Sequence, residues 1–417
     1  MKTPTIKHTL KYQYARLLAL LAVIGPGLIT ASAGNDAPGI ATYSMAGSAY
    51  GYNFLWVILI LTIGLMVVME MAARMGAVTG KGTMDLVREQ YGIRTSFFVV
   101  VLLIIANLGT TISEFAGIAV STELFGLSRN IFVPLVAIFV TFLVIRGSFN
   151  FVEKVLLFLS LAALSYIVTA FIQDPDWGEI ASRVVTPFFT GGSDYFFTIL
   201  AVIGTTITPW GIVYMQASVA EKGTQLKDYN LTRLDAFIGS AWGNMISAFI
   251  IICTATGLFS LGIRVETAEQ AAQALEPLAG PWAKILFAVG LFSASLLAAS
   301  VLPLSTSYAV AETIGFEHGI DQPFRKARSF FVLYIGIIMV SVAVVLIPGI
   351  PLFPLMWISQ AVNAVILPVI LFYLIKLANN RHIFGEWVNN RLQNALAIII
   401  TLFILAATVV LFISLFL

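Results

Sequence analysis

The sequence predicts an all-α polytopic membrane protein of eleven transmembrane helices, two inverted repeats of five plus one additional helix, with helices 1 and 6 broken. Three observations predict it: a composition too apolar for a soluble chain, a lopsided placement of positive charge, and helix-breaking residues at matching places in the two halves.

Of 417 residues, 59% are hydrophobic and 11% charged, against roughly 25% charged in soluble domains. A soluble core cannot hide that much apolar surface, so lipid must act as solvent. At roughly 20 apolar residues per span, the segments lie at about 17–47, 52–77, 95–125, 131–148, 153–173, 194–219, 232–262, 281–312, 327–347, 352–377 and 394–416. Three exceed a simple span, which implies internal breaks or extension beyond the lipid. The organisation that follows is a cytoplasmic N-terminal segment (1–16), a first repeat (17–173), a second repeat (194–377) and an eleventh span (394–416). The connections at about 174–193 and 263–280 read as short and mildly polar, with no room for a soluble domain. Lys2, Lys7, Lys11 and Arg16 precede a segment too long for a signal peptide's apolar region, so no cleavable signal is expected.

Charge placement tests the count. With the N-terminus cytoplasmic, nineteen of the 23 Lys and Arg residues fall inside, and only Arg129, Arg183, Arg264 and Lys284 fall outside. This is the positive-inside pattern of an N-in, C-out protein of a cytoplasmic membrane. The net charge of +2 argues for neither a nucleic acid nor an acidic partner. A lone cysteine, Cys253, excludes disulfides and thiolate metal sites. No catalytic constellation or cofactor motif emerges, so an enzyme is not expected.

Span 1 is interrupted by Gly34-Asn35-Asp36-Ala37-Pro38-Gly39, and span 6 by Thr208-Pro209-Trp210-Gly211. Paired broken helices mark the substrate site of inverted-repeat transporters, because unwound backbone offers carbonyls to a cation. Asp36 is the sharpest signal within them. A carboxylate inside a span costs roughly 2.5–3.5 kcal/mol on insertion scales and is seldom kept without a functional partner. No Lys or Arg lies mid-span to neutralise it, so a hydrated cation is the natural counter-charge.

The other polar residues divide. Glu114, deep in span 3, fits either an exit path or proton relay, or a structural hydrogen bond. Glu70 lies four residues before Arg74, and an i,i+4 pair explains it. Glu312, near the inner end of span 8, has Arg325, Lys326 and Arg328 in reach and reads as structural. Gln360 and Asn363 in span 10 and Asn244 in span 7 fit either helix–helix hydrogen bonds or a permeation path, with Gln360 the best placed to face an ion. His8, His318 and His382 all fall in cytoplasmic segments, which leaves an oxygen-rich candidate site.

These residues resemble the Nramp family of divalent metal transporters over nearly the whole chain. Gly25-Pro26-Gly27, then Asn35-Asp36-Ala37-Pro38-Gly39-Ile40-Ala41-Thr42, is similar to that family's first helix. Met71-Ala72-Ala73-Arg74-Met75-Gly76-Ala77-Val78-Thr79-Gly80 is similar to its span 2 signature, and Ser359-Gln360 with Leu367-Pro368 to its span 10. The resemblance implies a LeuT-like fold with metal bound between broken helices 1 and 6. The family's usual motifs are Asp-Pro-Gly-Asn in helix 1 and Met-Pro-His in helix 6. Here Asp36 is kept, but Gly39 stands at the asparagine, Thr208 at the methionine and Trp210 at the histidine. The stretch 131–145 also lacks the family's proton-linked aspartate. These departures are similar to the Nramp-related magnesium transporter branch, whose sixth helix carries a similar Thr-Pro-Trp.

The resemblance and the residue chemistry together imply a monomeric carrier of Mg²⁺, with Mn²⁺ as a second cargo, that works without protons. Asp36 supplies charge, Thr208 a hydroxyl, Gln360 an amide oxygen, Asn35 an outer contact, and Gly39 room. Glu114, Asn244, Asn363 and Trp210 are path candidates. Two alternatives stay open: a proton-coupled Mn²⁺/Fe²⁺ symporter, and a sodium-coupled amino-acid carrier of the same fold, whose substrate carboxylate Asp36 should repel.

Overall fold

The computed structural model describes residues 35–146, 161–224, 226, 229–320 and 322–416. The N-terminal segment 1–16, the front half of span 1 with Gly25, Pro26, Gly27 and Gly34, and the start of span 5 lie outside the described residues. Every regular element among the described residues is helical. The helices are α1 (Ala37–Tyr50), α2 (Leu55–Thr79), α3 (Thr83–Leu124), α4 (Arg129–Ile145), α5 (Leu164–Gln173) and α6 (Trp177–Val185). They continue as α7 (Ser193–Thr206), α8 (Pro209–Glu221), α9 (Tyr229–Gly257), α10 (Ala268–Gln273), α11 (Glu276–Ala279) and α12 (Ala283–Ile314). The last are α13 (Arg328–Val345), α14 (Leu352–Ala378), α15 (Arg381–Phe384) and α16 (Arg391–Phe416).

Among the described residues, eight candidate spans are long and apolar enough to cross a bilayer, and the shorter apolar α4 and α5 lie where spans 4 and 5 were expected. Helices carry this chain across lipid because every backbone polar group must be satisfied within its own segment. The helix that holds span 3 begins well before it, and Gly92, with a φ of 83°, divides α3 into a short leading piece and the span proper; only glycine takes that conformation without strain. The connections read as short and mildly polar hold helices of their own. Asp176 caps α6 through the amides of Gly178 and Glu179, and Thr267 with Gln270 closes a capping box on α10. Both signatures stand in the sequence.

The helices behind the two expected breaks start earlier than the sequence suggested. In the first, Asp36 is the N-cap of α1, and Ala37, Pro38 and Gly39 are already helical. In the second, Ile207 (φ −112°, ψ 89°) is the non-helical residue and Thr208 the N-cap of α8, with Pro209 in its first turn. Each proline starts a helix rather than breaking one, since its missing N–H is unneeded there. The two caps match: Asp36 Oδ1 accepts from Gly39 N at 2.7 Å, and Thr208 Oγ1 from Gly211 N at 3.2 Å.

Small residues let the helices around the breaks touch. A Cβ added at Gly117 of α3 would strike Ala37 and Ser295, and one at Gly204 of α7 would strike the Gln360 carbonyl of α14. Such small-residue contacts are the usual glue of helices in membranes. Away from the centre, Glu70 and Arg74 form the expected pair at 3.2 Å. It is buried and held on both sides: Tyr229 and Gln393 donate to Glu70, while Arg74 donates to Asn389 and the Trp387 carbonyl. Glu312 departs from expectation. It pairs with none of Arg325, Lys326 and Arg328, and instead accepts from Met84 N at 2.9 Å, at the N-terminus of α3, where a helix dipole favours negative charge.

Candidate functional site

Asp36, at the N-terminus of α1, is completely buried. Its Oδ1 caps the helix, but Oδ2 has no hydrogen-bond donor among the described residues. Glu114, equally buried on α3, brings its carboxyl group up to that of Asp36 and to the first residue of α1, Ala37. The packing of Gly117 on Ala37, one turn further along α3, sets this approach. Two buried carboxyl groups thus meet at one spot, where the Ala37 amide is the one donor near Glu114 and three of the four oxygens lack a well-formed hydrogen bond among the described residues. Ionised carboxylates in that position repel, so the spot calls for a cation or a shared proton.

Gln360 lies on the neighbouring α14 and is part of a polar network shared with α3. Its Nε2 donates to Ser359 Oγ (3.1 Å), and its Oε1 accepts from Asn363 Nδ2 (3.0 Å). Asn363 also donates to Thr110 (2.8 Å), and Ser113 to Ser359 (2.7 Å). Asn363 Oδ1 is left without a donor. The network therefore runs through Ser113, the residue next to Glu114. Thr208 is buried and its hydroxyl is engaged in capping α8, which leaves its second lone pair and its proton for another partner.

Asn35 and Asn244 are bonded to neighbouring helices. The side chain of Asn35 bridges to α9, donating to the Gly243 carbonyl (3.1 Å) and accepting from Ser247 (3.1 Å). Asn244 donates to Thr62 of α2 at 3.0 Å, a helix–helix bond. Trp210 is buried in the first turn of α8; its carbonyl accepts from Ser305 at 2.9 Å, while its indole N–H has no acceptor among the described residues. The amide of Gly39 is held by Asp36.

Sequence reasoning overlooked Tyr43, which joins α1 to α7 through Thr206 at 2.9 Å across the two breaks. It also overlooked the polar face of α3 formed by Asn107, Thr110, Thr111 and Ser113 around Glu114. A signal was available, since polar residues at three- and four-residue spacing in an apolar span mark one helix face.

Comparison with known proteins adds a lineage to this geometry. The family model described as natural resistance-associated macrophage protein-like (Nramp) matches residues 27–414. The divalent metal cation transporter MntH of Klebsiella pneumoniae (strain 342) is 27% identical over 387 residues, covering 89% of this chain and 89% of that protein. MntH of Bacillus subtilis (strain 168) is 25% identical over 408 residues, covering 95% and 93%. Among solved structures, the Eremococcus coleocola manganese transporter bound to an aromatic bis-isothiourea compound superposes with a TM-score of 0.74 at 20% identity, covering 99% of this chain and 88% of that one. MhsT in complex with L-phenylalanine gives 0.63 at 16%, covering 94% and 97%. At such identities the structural likeness concerns the fold, which is the LeuT-like class.

Proposed function

We propose, from the premise that this chain belongs to the Nramp family, that it moves divalent metal cations across a membrane by alternating access around Asp36. The observation that carries this reading is the meeting of the buried Asp36 and Glu114 carboxyl groups at the start of α1, where Asp36 Oδ2 and both oxygens of Glu114 lack a well-formed hydrogen bond among the described residues. A dication satisfies them together, whereas an anionic or zwitterionic substrate brings a carboxylate of its own to the same place. Amino-acid carriage is thereby disfavoured. Family members are transporters rather than enzymes.

The ion set we assign is Asp36, Thr208 and Gln360, with the Glu114 carboxyl group beside Asp36 balancing the ion's charge, Asn35 outside the set and Gly39 leaving room. Gln360 must release Asn363 to turn its oxygen to the ion. All these ligands are oxygens, which suits hard ions, and no thioether or imidazole is among them. Mg²⁺ dehydrates reluctantly and keeps several waters, so the preferred cargo is hydrated Mg²⁺, with Mn²⁺ also carried. The named relatives are divalent metal cation and manganese transporters; the preference for Mg²⁺ is our extension for this chain. The carrier works as a monomer in the cytoplasmic membrane, N-terminus inside and C-terminus outside, as its charge placement requires.

Transport in this reading needs no protons. One charge moved across 100 mV is worth about 2.3 kcal/mol, so a dication gains roughly 4.6. At about 1.4 kcal/mol per decade that supports accumulation on the order of 2,000-fold. One observation favours a second reading, proton-coupled Mn²⁺ or Fe²⁺ symport: the carboxyl groups of Asp36 and Glu114 are close enough to share a proton that an arriving ion displaces. Proteoliposomes with a pH dye inside, given Mg²⁺, Mn²⁺ or Ca²⁺ outside under a clamped potential, separate the two. Mg²⁺ entry without acidification is expected. Proton entry that tracks the ion dose establishes symport instead, and Mn²⁺ entry with no Mg²⁺ entry overturns the proposed selectivity.

A further inference from the structure

A second group of ligating side chains converges away from the helix breaks. Asp85 lies in the first turn of α3, Glu312 in the last turn of α12, and His318 just beyond that helix. One ligand atom of each lies within 4.8 Å of the other two. The three line a cavity of about 220 Å³, beside Gly82 and Glu221.

Two independent features point to an ion there. Glu312 is only 1% exposed, yet no Lys or Arg among the described residues forms an ion pair with it; Arg88 pairs instead with Asp85 at 3.6 Å, a long, part-exposed contact that an ion would replace. Its Oε2 is held by the Met84 amide, while a Cβ at Gly82 would collide with its carboxyl group, so the glycine keeps that space open. Secondly, His318 Nδ1 sits 2.9 Å from the Phe316 carbonyl. A carbonyl only accepts, so Nδ1 carries a proton there, and in the neutral ring the Nε2 lone pair is left for another partner. An imidazole held by its second nitrogen on a carbonyl is the usual arrangement of a metal ligand. Glu221 borders the cavity but is engaged, accepting from Tyr308 at 2.6 Å and from Ile320 N at 3.1 Å.

We propose that Asp85, Glu312 and His318 form a second divalent-cation site, separate from Asp36, that prefers Mn²⁺ to Mg²⁺. The donor set carries the preference. Carboxylates serve either ion, but imidazole suits transition ions, and Mg²⁺ gives up water least readily. An ion held there joins the start of α3, the end of α12 and the segment after α12.

The test uses full-length protein without a histidine tag and Mn²⁺ alone as the probe, followed by electron paramagnetic resonance. Bound Mn²⁺ in the parent should show nitrogen hyperfine coupling, because the central site supplies only oxygen. His318→Ala should remove that coupling and weaken this Mn²⁺ at least tenfold. Asp85→Asn should weaken the ion while keeping the coupling. Mg²⁺ should displace it only at more than tenfold excess. Bound Mn²⁺ without nitrogen coupling in the parent, or coupling that survives His318→Ala, overturns the site. Displacement by equal Mg²⁺ overturns the preference. The comparison of parent with His318→Ala does not depend on Asp36, so it stands whatever the cargo of the central site.

Discussion

Asp36→Asn separates the two things that Asp36 does. The carboxylate caps α1 through Oδ1 and leaves Oδ2 without a donor in the core. Asparagine keeps an oxygen for the Gly39 amide and removes the charge. Two unit charges 4 Å apart interact by about 4 kcal/mol at an effective dielectric of 20, and a dication doubles that. If half is returned to the hydration of ion and carboxylate, ~4 kcal/mol remains, between two and three decades in affinity. Mg²⁺ flux in proteoliposomes should therefore fall at least ~100-fold at matched protein density. Stability should move the other way. In the absence of metal, the variant loses a buried charge that faces Glu114 and keeps its cap, so its Tm should equal or exceed the parent's. Asp36→Ala loses the cap as well, at a cost of about 1 kcal/mol, and should melt below Asp36→Asn. Near-normal Mg²⁺ flux in Asp36→Asn would refute the assignment of Asp36 as the charged ligand. A large drop in Tm would show that the carboxylate is a structural group.

Thr208→Met should shift competition from Mg²⁺ toward Mn²⁺ and Cd²⁺, since sulfur is the softer ligand; an unchanged ranking in flux competition would mean that residue 208 does not touch the ion. Glu114→Gln should leave Mg²⁺-driven acidification absent, as in the parent; acidification present in the parent and lost in the variant would identify Glu114 as a proton carrier. Gly204→Ala should destabilise by about 1–3 kcal/mol, read as a lower Tm, because its Cβ meets the Gln360 backbone rather than a side chain that can move. Arg74→Ala should cost about 3–5 kcal/mol by leaving Glu70 buried and unpaired; a change within 1 °C of the parent Tm would show that Tyr229 and Gln393 suffice.

Membrane class and helical architecture were legible in the chain, and Asp36 stood out in it as the candidate ligand, for one reason. Lipid tolerates neither free backbone groups nor unpaired charge, so apolar length and each intramembrane acid carry information that a soluble chain would blur. The paired prolines located the breaks to within a few residues, and the Glu70–Arg74 spacing predicted its own ion pair. What the linear pattern left open is decided by approach between distant segments. Glu114 stood undecided between a path and a structural role until Gly117 brought α3 against Ala37 and so placed its carboxyl beside that of Asp36. Asn244 and Asn35 carry the same polar groups as ion ligands do, and only the packing of α9 against α1 and α2 shows them bonded there. Glu312 was read toward nearby arginines in sequence, whereas the fold sets it under the N-terminus of α3, 228 residues away. Hydrophobic periodicity reports which residues are buried. Which buried polar groups meet is a property of close-packed helix contacts, and those depend on glycines whose neighbours lie far along the chain.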